Sequence, residues 1–150
     1  MPVLLAEITD RRLDAGAVAA LVGNARAGAV VTFTGSIRDH DPEASGAVTE
    51  VDYTHHPDAQ RVLAALLDAV VADLDPDGAA AVAAVHRVGR LAVGDLALVA
   101  CVATPHRAEA FALCSALVER IKEHVPIWKQ QFLQDGSSVW SGLRPAGGDA

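Results

Sequence analysis

The sequence predicts an α+β domain closed by a C-terminal hairpin. Three observations carry that expectation. Short runs rich in Val, Ala and Thr recur between longer stretches with helical spacing. No repeat or low-complexity linker divides the chain. Its 150 residues, 51% hydrophobic and 21% charged, suit one domain with a sizeable core.

The elements follow in order. Val3–Ile8 reads as a strand and Asp14–Val22 as a short helix. The β-branched run Ala29–Thr34 is expected as a buried strand. A polar loop follows from Gly35 to Gly46, marked by two glycines and Pro42. Val48–Tyr53 alternates as a strand, and Asp58–Asp73 has an amphipathic helical period closed by Asp75-Pro76-Asp77-Gly78. Ala80–Val88 and Leu96–Ala103 read as strands, with Gly89–Asp95 as their connection. A long helix is expected from Pro105 to about His124, stopped by Pro126. Ile127–Trp140 reads as a hairpin turning at Asp135-Gly136, and a loose Pro/Gly tail is expected from Arg144.

Composition narrows the function. The longest apolar run, Leu96–Ala103, is far short of the ~20 residues that span a bilayer. The first residues carry no cationic head, so no signal peptide is expected. Two cysteines, Cys101 and Cys114, lie in apolar stretches, which suits buried free thiols in a reducing cytoplasm. A net charge of −7 argues against a nucleic-acid binder, which needs a basic face. No His or Cys spacing supports a metal site, and no glycine-rich fingerprint for ATP or a dinucleotide is present. His86 and His124 read as structural.

The cations are unequally distributed by type. Ten of the twelve are Arg, and the two lysines, Lys122 and Lys129, stand seven positions apart. By helical spacing Lys122 falls with Phe111, Ser115 and Val118 at the edge of an apolar stripe, away from Glu109, Glu119, Arg120 and Glu123. A lysine held partly desolvated there has a lowered pKa and becomes a candidate nucleophile or acid–base group. Pro126 and Trp128 brace Lys129. Two further places suit an anion. Phe33-Thr34-Gly35-Ser36-Ile37-Arg38 combines a strand end, glycine turns and a guanidinium. In Thr104-Pro105-His106-Arg107, Thr104 is expected as N-cap and Pro105 at N1, which puts His106 and Arg107 at N2 and N3. Cations in a first helical turn oppose the dipole unless an anion binds there.

Taken together, Val31–Arg38, His86-Arg87-Val88-Gly89 with Gly94-Asp95, Thr104–Arg107 and Lys122–Lys129 closely resemble the large, catalytic subunit of molybdopterin synthase over residues 3 to 144. The resemblance implies an α/β-hammerhead domain with an α+β subdomain. It implies sulfur transfer from the C-terminal Gly-Gly thiocarboxylate of a small ubiquitin-like sulfur-carrier subunit to cyclic pyranopterin monophosphate, forming the dithiolene of molybdopterin. Lys122 and Lys129 correspond to the catalytic pair. Ser36, Ile37, Arg38, His106, Arg107, Gln130, Gln131 and Arg144 join both lysines in binding substrate. The implied assembly is a central homodimer with a small subunit at each end, a heterotetramer whose sites are completed across the dimer interface. No metal or cofactor is implied. Family members often carry Lys where Ser36 stands and an acidic residue near Gln131. Both departures lie at the rim, so they bear on substrate contacts more than on reaction type.

The residues fit this chemistry independently. A thiocarboxylate already carries reactive sulfur, and both it and the substrate phosphate are anions, which accounts for a cation cluster on an acidic chain. The other readings are a non-catalytic phosphate-binding scaffold subunit and a phosphate-ester enzyme, the latter disfavoured by the lack of a carboxylate or metal-ligand cluster.

Overall fold

The computed structural model describes residues 2–142. Eleven elements follow in the order β1 (Val3–Thr9), α1 (Ala15–Val22), β2 (Ala29–Ser36), β3 (Val48–His55), α2 (Ala59–Leu74), β4 (Ala81–Arg87), β5 (Gly89–Ala92), β6 (Leu96–Thr104), α3 (Arg107–His124), β7 (Ile127–Leu133) and β8 (Ser138–Gly142). They build two four-stranded sheets, one ordered β1-β4-β6-β2 and the other β5-β3-β7-β8. The expected α+β class holds.

The first sheet is the middle of a three-layer sandwich. Along β4 and β6 both faces are buried, which is why these strands read as unbroken apolar runs. Val82, Ala84, Leu98, Ala100 and Val102 face α2 and α3. Ala81, Ala83, Val85, Val99, Cys101 and Ala103 face α1. Both cysteines are buried and free, as expected. β1 joins β4 in parallel, and the other pairs of this sheet are antiparallel. Asp14 caps α1 by accepting from the Ala17 N–H at 3.1 Å.

The second sheet encloses a smaller core of Ile37, Val48, Val51, Leu91, Ala97 and Leu133. Its hairpin, β7–β8, turns where Gly136 takes φ +91°, the left-handed backbone that glycine adopts without strain. Three elements differ from expectation. β2, expected as a buried strand, is an edge strand whose residues alternate between partly buried and exposed, because only one of its faces packs on the core. The segment 89–95, expected as a connection, contains β5, which pairs with β3 from Tyr53↔Gly89 to Glu50↔Ala92. Glycines at φ +93° and +94° bracket this strand, so its turn signals outweigh its four strand residues. At α3, Thr104 does not cap. It stays in β6 opposite Ala29, and its hydroxyl donates to the His106 carbonyl at 2.6 Å. The helix therefore begins at Arg107 with an extended His106 as N-cap, two positions later than the spacing of Thr and Pro suggests.

Candidate active site

The site lies where the two sheets and α3 meet. The buried stripe of α3 is Ala110, Leu113, Cys114, Leu117, Val118 and Ile121. Phe111 is 63% exposed, so the stripe is rotated by about one residue from the arc expected around it. Lys122 still lies at the edge, beside Ile121 and one turn on from Val118. Val125 ends the helix, its N–H donating to the Ile121 carbonyl. Pro126 forbids continuation, and the chain leaves as β7. Strand alternation then sets the faces of β7. Lys129 opposes Tyr53, Gln131 opposes Val51, and Ser141 on β8 opposes Lys129. These five residues share one face. Gln130 falls on the other, where its amide donates to Ser138 Oγ at 3.0 Å.

Arg38 arrives from the opposite side. Ile37 is buried in the smaller core, and its backbone bonds both ways to the turn after β5: its N–H donates to the Asp95 carbonyl at 3.0 Å and its carbonyl accepts from the Gly94 N–H at 2.8 Å. This double bond fixes where the next residue, Arg38, leaves the sheet. The result is two adjoining cavities with shared walls. One, about 390 Å³, is lined by Tyr53, His86, Lys122, Ile127, Lys129 and Ser141 among others. The second, about 200 Å³, adds Ser36, Ile37, Arg38, Asp41 and Gln131.

The electrostatics of this cleft are mixed. Lys122 is exposed in the isolated chain, but protein crowds its ammonium on several sides. Partial loss of hydration lowers its pKa, the positive charges of Lys129 and Arg38 push the same way, and Glu119 opposes them. Lys129 forms an ion pair with Asp41 at 3.3 Å, the two side chains 28% and 12% exposed. Gln131, 2% exposed, donates from its amide to Ser141 Oγ at 3.1 Å. His86 is buried with its Nδ1 against the Arg87 carbonyl at 2.7 Å, which requires a proton on Nδ1 and leaves Nε2 as an acceptor. Burial pushes its pKa down to about 4, and the charge of Lys122 adds to the effect. Its ring meets Tyr53 edge-on at 5.1 Å. Burial, with the charge of Asp41, raises the Tyr53 phenol to about 12. Around neutral pH the cleft thus holds a neutral imidazole, a neutral phenol and cations from three different elements.

Of the residues singled out in the sequence, Ser36, Ile37, Arg38, Lys122, Lys129 and Gln131 meet here. Gln130 does not. His106 and Arg107 lie at the far end of α3, about 22 Å from Lys122 at ~1.5 Å per residue. Arg144 lies outside the described residues. Asp41 and Tyr53 were not singled out; the acidic character of the 39–41 loop and the strand alternation of β3 are the signals that find them. His86 opens one of the segments that carry the resemblance and reads from the sequence as structural; its burial beside the cleft agrees with that reading. Among the described residues no group of three His, Cys, Asp or Glu could hold a metal, and no helix is long and apolar enough to cross a membrane.

Known proteins resemble this chain in sequence and fold. Residues 8–124 match the family model for the MoaE protein. The molybdopterin synthase catalytic subunit 1 of Mycobacterium tuberculosis is 37% identical over 138 residues, 92% of this chain and 90% of the relative. The molybdopterin synthase catalytic subunit of a Nostoc species is 35% identical, over 89% of this chain and 79% of the relative. The crystal structure of molybdopterin synthase from Staphylococcus aureus superposes with a TM-score of 0.81 at 31% identity, covering 92% of this chain and 97% of that one. A family match across most of the chain, relatives above the level where fold and family part, and a cleft that gathers both lysines lead to one assignment: the chain belongs to the MoaE family, the catalytic subunits of molybdopterin synthase.

Proposed function

We propose that this chain transfers sulfur from the C-terminal thiocarboxylate of a small ubiquitin-like carrier subunit to cyclic pyranopterin monophosphate, making the dithiolene of molybdopterin. One observation carries the reading. The last turn of α3 and the middle of β7 deliver the chain's two lysines to one cleft, facing Arg38. Nothing about surface solvation requires that convergence.

The residues divide the work by chemistry. Arg38 and the lysines offset the negative charge of two anionic reactants that would otherwise repel each other. The thiocarboxylate sulfur forms a carbon–sulfur bond to the pterin as a carbon–oxygen bond there breaks. Water then hydrolyses the acyl–sulfur bond of the resulting thioester, leaving the carrier's carboxylate, and a second carrier supplies the second sulfur. The depressed pKa of Lys122 gives it more neutral amine near neutral pH than an ordinary lysine has, which suits proton or acyl transfer. Buried His86 and partly buried Tyr53 line the cleft. His106 and Arg107 act from a second copy of the chain, because α3 separates them from the lysines of their own. Purified chain incubated with thiocarboxylated carrier and the cyclic pterin should form dithiolene. Lys122→Ala should abolish turnover with the fold intact. Dithiolene formed at the wild-type rate by that variant overturns the lysine assignment.

A further inference from the structure

We propose that Asp41 is a positioning residue that fixes the Lys129 ammonium in the cleft, through the ion pair that joins the 37–47 loop to β7. The inference rests on the reading of Lys129 given above and concerns what makes that lysine usable.

Lysine carries its charge on a flexible four-carbon stem. On a strand with an open cleft beside it, such a group samples many positions. Lys129 does not stand free: its Nζ lies 3.3 Å from Asp41 Oδ2, and both side chains are largely buried. Asp41 is itself anchored. Its other carboxylate oxygen accepts from the Glu43 N–H at 2.8 Å, and its carbonyl accepts from the Ala44 N–H at 3.0 Å. The loop is tied down on either side, by the Val48 N–H to the Asp39 carbonyl at 2.8 Å and the Gln134 N–H to the Ala47 carbonyl at 2.9 Å. The aspartate is therefore a fixed point, and the lysine is the part that would move without it.

The charges agree with this role. Burial works against ionisation of Asp41, but the Glu43 N–H, the charge and hydrogen bond of Lys129, and Gln131 outweigh it, so its carboxyl stays below the usual range. A surface ion pair contributes little. This pair is largely enclosed, so removing Asp41 leaves the Lys129 charge uncompensated in partly dry surroundings and drives it to rearrange.

The test compares Asp41→Asn, Lys129→Gln and the double variant, assayed as full chains with thiocarboxylated carrier and cyclic pterin. Asp41→Asn retains the shape of the side chain and an oxygen for the Glu43 N–H. It should lower kcat roughly ten- to a hundredfold, as expected for a displaced reacting group, with KM for the pterin unchanged or lower. In the Lys129→Gln background the same change should have no further effect, and Asp41→Glu should restore part of the rate. The chain has two lysines, so ¹⁵N-lysine labelling gives two side-chain signals. Asp41→Asn should shift the one that Lys129→Gln removes. Full activity in Lys129→Gln would defeat the functional reading of the lysine. Impaired Lys129→Gln with wild-type kcat in Asp41→Asn would overturn only the present inference. Losses that multiply in the double variant, or an unmoved Lys129 signal, would overturn it too.

Discussion

Lys122 sits where partial burial and the charges of Lys129, Glu119 and Arg38 meet, and all of them bear on which of its protonation states is present. Arginine at that position keeps the positive charge but stays protonated throughout the working range. Lys122→Arg should therefore retain the fold and carrier binding and lose at least ~100-fold in single-turnover rate, the lower end for removing a positioned acid–base group. Near-native turnover would reduce Lys122 to a charge. His86 gives a second prediction at this scale. Its pKa is about 4 when folded, against histidine's ordinary value of 6.5. Between those values the unfolded chain binds a proton that the folded chain does not, so stability falls as pH drops from about 6.5 to about 4 and this loss is complete below that. The contribution is about 3 kcal/mol. His86→Asn retains a donor for the Arg87 carbonyl and should flatten the difference in urea midpoint between pH 7 and pH 5. The lysines were legible in the sequence because the chain has only two and their spacing was unusual. Asp41 and Tyr53 were hidden, because their roles come from strand pairing and loop closure over distances the local pattern does not encode.

At the scale of elements, the junction between β6 and α3 is held against the start of β2. A Cβ placed on Gly28 would meet the Pro105 carbonyl oxygen at 2.5 Å. That neighbour is backbone and cannot swing aside. Gly28→Ala should destabilise the fold by roughly 1–3 kcal/mol, the usual cost of overpacking, and a thermal melt would show it; an unchanged melting temperature would mean that the two segments are free to part. The same junction shows why local reasoning misplaced the start of α3. Thr and Pro are good start signals, but pairing of Thr104 with Ala29 and its burial hold it in the strand. Tertiary pairing likewise makes β5 a strand: Leu91 fills the smaller core, while Arg90 pairs with Glu50 and lies 4.3 Å over the Phe132 ring. The central strands β4 and β6 of the first sheet were plain because burial on both faces makes them continuously apolar. β5 is four residues that begin with one left-handed glycine, Gly89, and end two before another, Gly94, and its partner lies about forty positions away.

For the whole molecule, the separation of cations along α3 has a consequence for assembly. Lys122 and Arg38 stand at one end of the helix and Arg107 at the other, too far apart for one small phosphorylated ligand to touch both in one chain. Between these ends, Phe111, Val31, Phe33, Cys114 and Val118 line an open groove of about 290 Å³ beside β2, an edge strand. Unpaired edges and exposed aromatic side chains are surfaces that partners cover. We propose that a second copy covers this surface and supplies its own Arg107 to the first copy's lysines, the arrangement the family resemblance implies. Two outcomes separate a shared site from a self-contained one. Lys122→Ala and Arg107→Ala should each be inactive alone. Unfolded together and refolded as a mixture, half the dimers would be mixed, and each mixed dimer would hold one site with both native residues. Activity should recover to about one quarter of wild type. A site confined to one chain would give no recovery at any mixing ratio, and light scattering of a monodisperse monomer at micromolar concentration would exclude the exchange altogether.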